Sequence, residues 1–75
     1  MTAIEAVWYR MKEHAAQHAQ RSEPLDRNRA EAVVVRLLQD ARIAPWPPAA
    51  VINFYVNELL AMTEKQQLTT AAREQ

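Results

Sequence analysis

The sequence predicts an all-α fold, a helical hairpin followed by a third helix after a proline-rich linker, and two observations carry that prediction. None of the 75 residues is glycine, the default residue for left-handed turns, hairpin loops and phosphate-cradling backbones. Its absence argues against tight β-hairpins, Walker-type loops and dinucleotide-binding turns. Apolar residues also recur three and four positions apart in three segments, with proline between one segment and the next.

The first segment opens with Thr2-Ala3-Ile4-Glu5, a capping-box pattern in which two side chains satisfy free backbone N–H groups. Ile4, Val7, Trp8, Met11, Ala15 and His18 then form one stripe, with Glu5, Tyr9, Glu13 and Gln17 away from it. No breaker intervenes before Ser22-Glu23-Pro24. Pro24 ends this helix and is suited to open the next, where its missing N–H costs nothing. Ser22 and Asp26 are both candidate N-caps.

The second segment carries Ala30, Val33, Val34, Leu37, Leu38 and Ala41 on one face. Val33-Val34-Val35 has strand character, but its flanks are helix formers at 3.6-residue spacing, so helix is expected. Val35 falls off the stripe. Ala44-Pro45-Trp46-Pro47-Pro48 then holds the chain near extended geometry. Either Pro47 or Pro48 suits the first turn of a third helix, continued by Val51, Ile52, Tyr55, Val56, Leu59 and Met62. Helices are expected over about 2–21, 25–43 and 48–67, with residues 68–75 frayed for want of apolar surface.

Composition sets the class of function. A single domain of this length builds a marginal core, and zero cysteines remove disulfides and zinc–thiolate sites as supports. Self-association is the remaining source of stability, so a homodimer is expected. Nine basic residues balance nine acidic ones, whereas nucleic-acid binders carry a basic surplus. The longest apolar run is far short of a membrane span, and the N-terminus has no basic-then-apolar signal pattern. A cytoplasmic protein without membrane contact is expected.

Three features bear on chemistry. His14 and His18 form an H-x-x-x-H pair, one turn apart on one side of the first helix, but no third ligand accompanies them. No metal and no cofactor are therefore expected. Helix 2, linker and helix 3 together invite comparison with a helix-turn-helix. The third helix, however, offers mostly apolar side chains and no basic residue before Lys65. No catalytic constellation is evident, and the protein is not expected to be an enzyme.

The aromatic residues are more informative. Phe54 lies roughly opposite Ile52, Val56 and Leu59, so something other than the main apolar stripe must cover it. Either a second flanking helix or another molecule does so. Trp46, on a stiffened backbone, either folds over the ends of helices 2 and 3 or stands out as an anchor. A partner-binding surface is expected to combine Tyr9, Trp46 and Phe54 with Arg36 and Arg42 at its rim. Phe54 and Val35 are expected at a dimer seam.

The expected function is protein–protein recognition. In size, helical character and Ala/Arg-rich composition the chain resembles the small helical accessory proteins of bacteriophages and mobile elements, notably those from high-GC hosts. That resemblance implies a protein partner such as a host regulator or defence component, blocked by an anti-activator or anti-CRISPR-like inhibitor. It rests on no motif, so it assigns no residue a role. The other class kept open is a small helix-turn-helix-like transcriptional regulator that binds DNA.

Overall fold

The computed structural model describes residues 2–21 and 24–74, with side chains through residue 69. Among them the chain forms α1 (Ala3–Arg21), α2 (Arg27–Asp40) and α3 (Ala49–Glu74), and no strand. The all-α, three-helix architecture expected from the periodicity is the one observed.

Each helix end has a local cause. The Glu5 N–H donates to Thr2 Oγ1 at 3.1 Å, which is one half of the capping box. Asp26 is the N-cap of α2, and its Oδ1 accepts the Arg29 N–H at 2.8 Å. The other candidate cap, Ser22, lies outside the described residues. Pro24 and Leu25 consequently stay outside a helix expected to begin near residue 25. Leu25 at N′ and Ala30 at N4 both join the core, as in a hydrophobic staple.

The end of α2 corrects one expectation and shows a turn that the sequence does not announce. The helix stops at Asp40 rather than near residue 43, and a left-handed residue closes it although the chain lacks glycine. Arg42 has φ of 55°. Its N–H donates to Gln39 O at 3.0 Å, and the Ile43 N–H donates to Leu38 O at 3.1 Å. That pair of bonds is a Schellman motif, with Ile43 packed against the core beside Leu38. A non-glycine residue in this region costs on the order of 1–3 kcal/mol, partly offset by glycine's greater unfolded-state entropy. Arg42→Gly is therefore expected to raise stability by about 0.5–1 kcal/mol in urea denaturation. A loss of stability instead would show that the arginine side chain holds the turn.

In the linker, the Ala44–Pro45 peptide is cis. Pro48 acts as the N-cap of α3 rather than as its first-turn residue, since its carbonyl accepts the N–H groups of Val51 and Ile52 at 3.0 and 3.1 Å. The far end of α3 also departs from expectation. Instead of fraying after Gln67, the backbone stays helical to Glu74. No proline or glycine interrupts residues 66–74, and Ala71, Ala72, Arg73 and Glu74 are good helix formers.

The core joins Val7, Met11 and Ala15 of α1 to Ala30, Val34, Leu37 and Leu38 of α2, and to Val56 and Leu59 of α3. Ala15 and Ala30 are fully buried, where small side chains let backbones approach. Thr63, absent from the expected stripe, is buried too. Its hydroxyl donates to Leu59 O at 2.8 Å and so meets its need within α3. α3 lies against both other helices, whereas α1 and α2 touch each other least. Trp8 meets Tyr55, and Lys12 and Ala15 share a depression with Met62, Lys65 and Thr69, so α1 and α3 run in the same direction. α2 runs antiparallel to α1, because its end (Asp40) pairs with Arg10 while its start (Arg29) faces His18 and Arg21.

Candidate protein-recognition surface

Parallel alignment of α1 and α3 has a consequence for the aromatic side chains. Trp8 and Tyr9 sit at the same height as Phe54 and Tyr55, and Trp46 lies in the linker leading into the start of α3. All five aromatic residues of the chain thus gather at one end of the molecule.

Three of these rings touch. Trp8 stacks edge-on against Tyr55 at 5.3 Å and against Phe54 at 6.2 Å between ring centroids, and Phe54 meets Tyr55 at 5.9 Å. Trp8 and Tyr55 are half-buried against the core. Phe54 keeps 53% of its surface exposed, Trp46 48% and Tyr9 60%. Folding therefore covers part of this cluster and leaves the rest in water. Phe54 is covered on one side by α1 yet open on the other, which combines the two alternatives drawn from its off-stripe position.

The remaining expected site residues lie on α2 and its closing turn. Arg36 is exposed on α2, with Nε 3.4 Å from Asp40 Oδ1. Arg42 is exposed in the closing turn of α2. Val35 is half-buried. The structure thus groups Tyr9, Phe54 and Trp46 at one end and leaves Arg36 in a different place, on the groove between α1 and α2. Arg27 instead bridges two helices, donating to Asn57 Oδ1 at 2.7 Å and to Asn53 Oδ1 at 3.5 Å. Two side chains that a helix-turn-helix would turn toward bases are thereby engaged within the fold.

His14 and His18 line one depression between α1 and α2, as their spacing requires. Among the described residues, no three His, Cys, Asp or Glu side chains are placed to hold a metal ion. No helix among them is long and apolar enough to cross a membrane. What sequence reasoning missed is Trp8 and Tyr55 as supports of Phe54, and the gathering of cations along the α1–α2 groove. Set against protein-family models, curated proteins and solved structures, the chain matches none.

Proposed function

We propose that the protein is a cytoplasmic recognition module that binds another protein, acting as a homodimer, in the manner of a small inhibitor or anti-activator. The observation that carries this reading is the half-exposed aromatic end. Large rings at protein interfaces bury area with little loss of rotamer freedom, and Tyr and Trp dominate binding hot spots. A monomer gains little from leaving Tyr9, Trp46 and Phe54 in water.

The homodimer is read from the outer face of α3, which is suited to the contact. Ala50, Phe54, Ala61 and Leu68 are all exposed and recur at spacings of four, seven and seven along one face, with the polar Asn57, which accepts from Arg27, and Glu64 between them. Phe54 lies where this face meets the aromatic end.

Sedimentation velocity tests the dimer, with wild type expected as a dimer at micromolar concentration and Phe54→Ala as a monomer. A monomeric wild type sinks it. Tyr9→Ala and Trp46→Ala are expected to stay folded, within about 0.5 kcal/mol of wild type. Both should release the protein partner that immobilised wild type captures from host lysate. Retention of that partner by both variants rules out the aromatic end as its contact.

A further inference from the structure

From the groove between α1 and α2 we infer a docking site for an acidic amphipathic helix of the protein partner. This inference rests on the recognition reading and names the chemistry of what is recognised. Arg10, His14, His18 and Arg21 succeed one another at spacings of four, four and three, so they share one face of α1. Across the groove, Arg29 and Arg36 are seven apart and share a face of α2. The chain is neutral overall, yet Asp40 is the one carboxylate lining the described groove.

Pairing does not neutralise the arginines of this cluster. Asp40 serves two guanidinium groups, Arg10 at 3.8 Å and Arg36 at 3.4 Å. At the other end, Arg21 and Arg29 have no carboxylate within ion-pair distance among the described residues. The nearby Asp26 turns its Oδ1 to the Arg29 backbone N–H. Like charges crowded along a groove add nothing to folding, and an anionic occupant relieves their repulsion.

Shape and floor select the occupant. Because α1 and α2 touch least, the space between them stays open as adjoining depressions of about 270, 360 and 320 Å³. From Ala6 to Arg21 the groove follows α1 for about 22 Å, the length of some four helical turns. Its floor is apolar, formed by Ala32, Val33 and Leu37. A helix with a short apolar stripe and acidic flanks fits cationic rims around an apolar floor. Nucleic acid fits less well, because none of the aromatic rings that would stack on bases lines the described groove.

The test uses the full chain and fluorescence anisotropy with four labelled probes. These are a 16-residue peptide with leucines at helical spacing and glutamate elsewhere, the same peptide with lysine for glutamate, a dT12 oligonucleotide and a 16-base-pair duplex. The acidic peptide is expected to bind at least 30-fold more tightly than the lysine peptide and more tightly than either nucleic acid, with affinity falling as salt rises. Arg21→Glu/Arg29→Glu should weaken that binding at least 30-fold. Lys12→Glu/Lys65→Glu makes the same change in net charge outside the groove and should weaken it less than threefold. Both arginines are exposed and without ion pairs among the described residues, so the swap should leave the circular dichroism melt unchanged. Equal binding of the two peptides, equal loss in both charge-swapped variants, or tighter binding of either nucleic acid overturns the inference. Phe54→Ala should keep peptide binding while losing the dimer. Failure of the peptide alone therefore leaves the aromatic end and the dimer standing.

Discussion

Leu59→Ala is expected to remove about 2–5 kcal/mol of stability, among the larger losses from a single truncation in this chain. Leu59 is fully buried in α3, the helix that packs on both others. Its removal leaves a cavity that faces α1 and α2 together, and neighbours such as Met11 and Leu38 are themselves fully buried and already in place. A 75-residue domain has a total stability of roughly 4–11 kcal/mol. The variant should therefore be partly unfolded at 37 °C, with a urea midpoint well below wild type and little change in slope. A loss below about 1 kcal/mol would mean that α1 and α2 close onto the vacated space. The core would then be far more pliant than its full burial indicates.

Much of this fold is legible because the deciding signals are local. Thr2 caps α1 by a bond that its position three residues before Glu5 announces. The apolar stripes of α1 and α2 supply the buried residues Val7, Met11, Ala15, Val34, Leu37 and Leu38. Boundaries set by backbone geometry are less legible. The sequence leaves Ser22 and Asp26 as alternative caps, and Asp26 marks the start of α2, because a carboxylate that accepts an N–H determines where the first turn can close. Arg42 takes a left-handed conformation that its residue type disfavours, held by two Schellman bonds and by Ile43 in the core. The last turns of α3 persist through intrinsic propensity where lack of apolar burial pointed to fraying.

The candidate surface divides in the same way. Phe54 is legible from one helix alone, since its angular position conflicts with the stripe. Its support by Trp8 and Tyr55 is not, because it depends on α1 and α3 running parallel at matched height. The groove is similar. The spacing of Arg10, His14, His18 and Arg21 is visible in the chain, but Arg29 and Arg36 come opposite only when α2 folds back antiparallel. Tertiary geometry turns two modest basic faces into one cationic channel.

Trp8→Ala and Phe54→Ala, though neighbours in one cluster, are expected to fail in opposite ways. Trp8 is half-buried and packs against the core while touching both other rings. Its loss should cost about 2–3 kcal/mol of monomer stability, below the 3–5 kcal/mol of a fully buried tryptophan. Phe54 is 53% exposed, and its truncation should cost the monomer less than about 1 kcal/mol while abolishing association. The measurement is urea denaturation at concentrations low enough for wild type to be monomeric, so that dissociation does not enter the apparent stability. A double-mutant cycle should give a coupling of about 0.5 kcal/mol, the low end for an edge-to-face pair beyond its buried area. That coupling positions Phe54: Trp8 sets the ring's angle, and the exposed half meets the second copy. If Phe54→Ala destabilises the monomer as much as Trp8→Ala and leaves sedimentation unchanged, Phe54 is a core residue. The outer face of α3 then loses its anchor, and the dimer reading falls with it.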